Sequence, residues 1–258
     1  MLFRHLYDRP ESDVDSIVAA LLDHTGRLEP MMCDSTSLMH ECLAKGQTVL
    51  AEGQLGALRD PDHGIYPFST SSSPLAGFVP VGAGVPPAAI TDVVAVAKAY
   101  SSCVGAGPFV TEWSGSPAQQ LRERGGDRGE YGATTGRPRR VGPFDAVATR
   151  YGCRLQGANR VALTNLDVLS YLNEIPLCTA YRINGQETER FPLTRLQATA
   201  EPVYESHAGW TADITGVRRW QDLPDNAQRY VERVESLIET PIGLISVGPH
   251  RDALIHRE

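Results

Sequence analysis

The sequence predicts an α/β fold in which a mostly parallel central sheet is flanked by helices. Helical and extended patterns alternate along the chain instead of falling into separate blocks, the order that produces crossover-connected sheets. Two predicted strands, 161–163 and 242–245, each run into a polar or glycine-containing turn, Thr164-Asn165-Leu166-Asp167 and Ser246-Val247-Gly248-Pro249. Open α/β sheets place ligands at such strand ends. With 258 residues, 41% of them hydrophobic, the chain is long enough to bury a sizeable core, and no Ser/Gly-rich linker or charge block divides it. One domain over 1–258 is expected, with 1–47 a helical lead-in.

Ser12 is the predicted cap of a first helix whose apolar positions Val14, Ile17, Val18, Leu21 and Leu22 follow helical spacing, with Gly26 as its stop. A second helix is expected from Ser35 to Lys45, ended by Gly46. Thr48-Val49-Leu50 reads as a short buried strand feeding the Glu52-Gly53-Gln54 turn. The almost wholly apolar run Ala88–Tyr100, after Pro86-Pro87, reads as a buried helix. A further helix is expected over Asp225–Glu239, with Tyr230, Val231, Val234, Leu237 and Ile238 on one face. Gly82-Ala83-Gly84 and Gly105-Ala106-Gly107 each lack the third glycine of a dinucleotide fingerprint and read as tight turns.

The formal net charge of −7 argues against nucleic-acid binding, which needs a dominant positive field. Five cysteines (33, 42, 103, 153, 178) contain no C-x-x-C, so neither a disulfide framework nor a zinc site is indicated, and a reducing cytoplasm is the expected location. No apolar run approaches the length of a membrane span.

Against this acidic background, Gly132–Arg140 presents two threonine hydroxyls and three guanidiniums within one small-residue loop. Forked guanidiniums match carboxylates and phosphates with paired hydrogen bonds, so a multiply anionic ligand is the natural guest. The competing reading is a solvated basic turn. His63, in Asp62-His63-Gly64, is the most tempting acid or base in the chain, yet a His in a glycine turn more often makes a structural hydrogen bond. Asp60, Asp62 and His63 lack a fourth partner for a metal site, and none is assigned.

Six blocks in order resemble the adenylosuccinate synthetase family, whose members join aspartate to inosine monophosphate (IMP) at the expense of GTP. They are Asp60–Ser72, Val104–Glu112, Ala133–Arg140, Leu163–Leu169, Pro202–Glu205 with Gly209-Trp210, and Ser246–Pro249. The resemblance implies a P-loop-NTPase-like ligase fold lacking its N-terminal portion. It implies that Thr134, Thr135 and Arg137 hold aspartate. Gln54, Thr70, Val104 and Arg137 would face the monophosphate nucleotide, and Arg139, Asn165, Asp167, Ser246 and Gly248 would face GTP. An Asp at a strand end can accept from guanine N1 and N2, which suits Asp167; its other reading is a turn cap.

Departures from the family pattern are as specific. Asn165 replaces a Lys that covers the base. The family turn Glu-Gly-Ala-Gln-Gly here reads Glu52-Gly53-Gln54-Leu55-Gly56, so the Gln has moved by one position. Arg59 stands where an apolar residue is usual and offers a new anion contact. No G-x-x-x-x-G-K-[ST] loop occurs. By resemblance, the phosphate loop, the catalytic Asp and His and the Mg²⁺ site belong to a part that precedes these motifs. The readings therefore stay open between a ligase that takes its phosphate loop from elsewhere and a catalytically silent nucleotide- or aspartate-binding subunit. A homodimer, or a separate N-terminal-half partner, is expected on the same ground.

Overall fold

A computed structural model describes residues 2–10, 12–126 and 128–257. The chain divides into two compact units, residues 1–50 with 83–85, and 51–82 with 86–258.

The first unit is helical: α1 Leu2–Leu6, α2 Val14–Asp23, α3 Thr25–Leu28 and α4 Ser35–Ala44. Asp13, not Ser12, caps α2, its carboxylate accepting from the amides of Asp15 and Ser16 at 3.3 Å. The helix stops at Asp23 and Gly26 lies inside α3, so the glycine is not the stop; the backbone had already broken at His24. The apolar stripe of α2 is exposed, Leu21 at 65% and Leu22 at 64%. Asp34 caps α4, and Lys45 and Gly46 end it as expected, Gly46 at φ 67°. Residues 48–50 form no strand, and Leu50 is 91% exposed. A three-residue apolar run carries no periodicity, and here it finds no partner edge.

The second unit carries α5 Val79–Ala83 up to its last residue, α6 Gly115–Arg124, α7 Ala146–Gln156, α8 Thr194–Gln197 and α9 Asp225–Ile238. Its strands are β1 Val94–Lys98, β2 Ser101–Cys103, β3 Arg140–Gly142, β4 Phe144–Asp145, β5 Arg160–Thr164, β6 Glu174–Ile183, β7 Gln186–Thr188, β8 Glu201–Ala208, β9 Ile242–Ser246 and β10 Leu254–His256. One sheet runs β1-β5-β9-β10, with β1/β5 and β5/β9 parallel and β10 antiparallel. A second is built on β6, parallel to β4 and antiparallel to β7 and β8. The predominantly parallel arrangement therefore holds in the first sheet only.

The predicted helix over Ala88–Tyr100 is instead a single turn at Pro87–Ala89 followed by β1. Val94 and Val96 alternate with Ala95 and Ala97, and β-branched residues stiff at χ1 favour a pleated strand over a helix. The expected full burial also fails, because Val96 is 73% exposed. The later elements follow their patterns. In α9, Ala227, Tyr230, Val231, Val234 and Ile238 are buried at helical spacing, and the Tyr230 hydroxyl donates to the Ala99 carbonyl at 2.9 Å. Asp145 caps α7 through the Ala148 amide, and Gly157 at φ 62° ends it. Of the two glycine turns, Gly105 (φ 88°) and Gly107 (φ 114°) have the expected left-handed backbone, whereas Gly82 lies within α5 and only Gly84 (φ 66°) turns. No helix among the described residues is long and apolar enough to cross a membrane.

One buried carboxylate joins several of these pieces. Glu130, 2% exposed, accepts from Lys98 Nζ at 2.6 Å, from the Tyr100 hydroxyl and from Arg139 Nη1 at 3.1 Å. Its carbonyl accepts the Arg139 amide at 2.8 Å. Burial pushes the carboxyl's pKa up, but the Lys98 and Tyr100 hydrogen bonds and the charges of Lys98 and Arg139 outweigh it and hold the group below the ordinary range. Gly125 permits the approach, since a Cβ there would sit 2.4 Å from Glu130 Cγ. Glu130→Gln is expected to cost about 2 kcal/mol in urea unfolding at neutral pH, a figure reduced for the part-exposed cations. Because the folded-state pKa is depressed, this contribution is present above the ordinary glutamate range and lost as pH falls through the folded value. The difference between Glu130→Gln and the unsubstituted chain should therefore shrink in unfolding curves taken down to about pH 3.

Candidate functional site

Strands β1, β5 and β9 point the same way, with Lys98 paired to Thr164 and Leu163 to Ile245, so their carboxyl ends share one edge. That edge brings together Asn165, Asp167, Ser246 and Gly248. Asn165 leaves β5 in a left-handed conformation, φ 60°, a turn its short polar side chain tolerates. Asp167 follows in the two-turn 3-10 helix Leu166–Tyr171. Its Oδ1 is buried and has no hydrogen-bond partner. Burial raises its pKa, with the Asp213 charge adding to the rise and the Asp167 and Val168 amides offsetting part of it. Ser246 Oγ donates to the Gly248 carbonyl at 2.9 Å, and the Val247 amide donates to Ala253 at 3.0 Å, which shapes the second turn.

Lys98 carries the edge on to the basic loop. From the carboxyl end of β1 it binds Glu130, which holds Arg139, so the loop's C-terminal limb is tied to the same sheet edge. The Nε of Arg139 is buried without a partner. The loop itself closes through Gly132 N to Arg137 O and Gly136 N to Gly132 O, both 2.8 Å, with Gly136 at φ 63°. Thr135 Oγ1 accepts the Arg137 amide at 3.3 Å. Thr134, Thr135 and Arg137 are exposed, and the Arg137 guanidinium has no hydrogen-bond partner among the described residues. Arg140, next but two, is bound to Glu112 and to the Gly105 and Gly107 carbonyls.

Thr70 and Val104 are linked through Arg59, whose carbonyl accepts the Thr70 amide at 2.8 Å and whose Nη2 donates to Val104 O at 2.8 Å. The expectation that Arg59 offers an anion contact is overturned. Its guanidinium is committed to the Phe68, Val104 and Ala106 carbonyls and Cys103 Sγ. Gln54 is not joined to this group: it lies exposed in an irregular stretch beside Leu55 (φ 69°) and makes no hydrogen bond among the described residues. His63 acts through its backbone, its amide donating to Asp60 Oδ1 at 2.8 Å and its carbonyl accepting the Tyr151 hydroxyl. Asp60, 1% exposed, also takes the Asp62 amide and Ser73 Oγ, so it is a turn organiser. No group of three potential metal-ligating His, Cys, Asp or Glu side chains forms among the described residues.

Lys98, Tyr100 and Glu130 are the residues that sequence reasoning did not single out. A lone Lys in an otherwise apolar run was the visible signal, obscured by the helical reading of 88–100.

The family model described as adenylosuccinate synthetase matches residues 1–255. The adenylosuccinate synthetase of Kocuria rhizophila is 47% identical over 251 residues, 97% of this chain and 58% of that protein. That of Salinibacter ruber is 46% identical over 98% of this chain and 57% of its own length. The fully ligated adenylosuccinate synthetase structure from Plasmodium falciparum superposes with a TM-score of 0.93 at 36% identity, covering 99% of this chain and 61% of that one. The chain thus spans a little under three fifths of the curated relatives that it matches, and it belongs to the adenylosuccinate synthetase family.

Proposed function

We propose that this chain supplies the aspartate- and base-recognising part of a GTP-dependent carbon–nitrogen ligase that joins L-aspartate to IMP or a related 6-oxopurine nucleotide. The observation that carries this reading is the orphaned Asp167 Oδ1 on a sheet edge shared with the Ser246–Pro249 turn and, through Lys98 and Glu130, with the basic loop. A buried carboxylate oxygen lacking a donor is complementary to the N1–H and N2–H of guanine. Arg139 Nε, also orphaned, is a matching donor for the anionic part of the same nucleotide.

In this reading Thr134, Thr135 and Arg137 hold the carboxylates of aspartate. The exposed Arg137 also reaches the monophosphate nucleotide beside Thr70 and Val104, so one guanidinium aligns both reactants. Phosphoryl transfer relies on a Gly-rich backbone, a Lys and Mg²⁺ around the transferred group. The sequence carries no G-x-x-x-x-G-K-[ST] loop and the described residues form no cluster of metal ligands, so in this reading the phosphoryl clamp is supplied by another part of the ligase. The ligands are L-aspartate and purine nucleotides, and self-association as a homodimer goes with the family. Asn165 and the shifted Gln54 favour one second reading, a subunit that keeps aspartate and nucleotide recognition without turnover.

Mass-spectrometric detection of GDP and the succinylated nucleotide, from IMP, GTP, Mg²⁺ and aspartate, separates the two. Product supports the ligase; binding without product supports the silent subunit; neither binding nor product rejects both. Arg137→Ala is expected to weaken aspartate binding by about 10- to 100-fold in calorimetric titration, with unfolding stability within about 0.5 kcal/mol of the parent because the side chain is exposed. Asp167→Asn should lower guanine-nucleotide affinity by roughly 10- to 100-fold, since the amide oxygen accepts from one guanine N–H while its NH2 faces the other, where the carboxylate accepts from both. The raised Asp167 pKa sets the sign of a further effect. Guanine affinity should fall on acidification at a higher pH than an exposed aspartate would give, and Asp167→Asn should abolish that dependence in the same titrations.

A further inference from the structure

The loop Val104–Gly107 has its four carbonyls divided between two guanidiniums. Arg59 takes Val104 at 2.8 Å and Ala106 at 3.1 Å, and Arg140 takes Gly105 at 3.3 Å and Gly107 at 2.7 Å. Gly105 (φ 88°) and Gly107 (φ 114°) supply the positive φ values this turn needs. The amides of Gly105, Ala106 and Gly107 have no acceptor among the described residues. Arg140 is balanced by Glu112. Arg59 forms no ion pair among the described residues; its half-buried charge is satisfied by carbonyls and the Cys103 sulfur.

Arg59 also spans two segments far apart in sequence. Its Nη1 donates to Phe68 O at 2.6 Å and its own carbonyl holds the Thr70 amide. Each of the two nucleotide-facing residues, Thr70 and Val104, is therefore one hydrogen bond from Arg59. We propose that Arg59 is a positioning residue for the monophosphate-nucleotide side of the site, fixing the Phe68–Thr70 and Val104–Gly107 segments against each other without touching the ligand. This inference rests on the nucleotide reading given above.

Because no carboxylate depends on Arg59, Arg59→Leu strands no buried acid, and the carbonyls it frees lie beside the 58%-exposed Val104, within reach of water. Hydrogen–deuterium exchange on the full chain tests the clamp. Arg59→Leu should speed exchange in peptides spanning 68–71, where the Thr70 amide is held by the Arg59 carbonyl, by about tenfold or more, with β5 and β9 unchanged, and Arg59→Lys should fall between. Calorimetric titration with IMP should show affinity about tenfold weaker for Arg59→Leu. Unchanged exchange in that segment, or loss of protection spread through β5 and β9, would overturn the clamp. A loosened loop with unchanged IMP affinity would overturn the positioning role alone. Failure of the unsubstituted chain to bind IMP would instead overturn the nucleotide reading on which the role rests.

Discussion

The buried carboxylate of Glu130 is the constraint around which the candidate site is arranged. A charge taken out of water must be paired and hydrogen-bonded or it destabilises the fold. Glu130 meets that requirement by drawing in Lys98 from β1, Tyr100 from the turn after it and Arg139 from the basic loop. Side chains from the end of β1, the turn after it and the basic loop are thereby held to one point. Removing the acid would leave two cations crowded at a sheet edge, so the arrangement is conditional on all members being present.

With that point held, parallel pairing does the rest. β1, β5 and β9 must end together because their register is shared, and each end delivers a different chemistry: an ammonium at Lys98, a carboxylate at Asp167, a tight backbone turn at Ser246–Gly248. The edge also leaves polar atoms unmatched. Asp167 Oδ1 and Arg139 Nε are buried without partners, which is costly in a finished fold and intelligible in one that completes its hydrogen bonding with a ligand.

Much of this was legible in the residues, for identifiable reasons. The helix over 225–239 and the strands at 161–163 and 242–245 have long or well-bounded patterns, and tertiary packing agrees with them. The failures share a cause as well. Ala88–Tyr100 is apolar on both alternations, so period could not separate a strand of a parallel sheet from a buried helix, and only the β-branched valines pointed to β1. Thr48–Leu50 was too short to carry a period. The site residues were recognisable as types, but their grouping depends on register and on long-range pairs such as Lys98 with Glu130, and no local pattern encodes those.

The basic loop shows the same limit in its sharpest form. Arg137, Arg139 and Arg140 are nearly adjacent and chemically identical, yet they have three different states. Arg140 is locked by Glu112 and two carbonyls; Arg139 is bound to Glu130 through Nη1, with Nε buried and unpartnered; Arg137 is exposed with its guanidinium unpartnered among the described residues. Availability to a ligand is set by the acceptors the fold builds around each fork. The position two residues before Arg139 escapes them because the Gly132–Gly136 turn lifts it clear of the sheet-bound limb. Arg140 thus serves the scaffold, Arg139 ties the loop to the sheet edge, and Arg137 is, in the proposed reading, the guanidinium open to an anion. The same logic separates Arg59 from its first reading: with both Nη nitrogens committed to three carbonyls and the Cys103 sulfur, the end of the guanidinium is taken up by the loops that it holds.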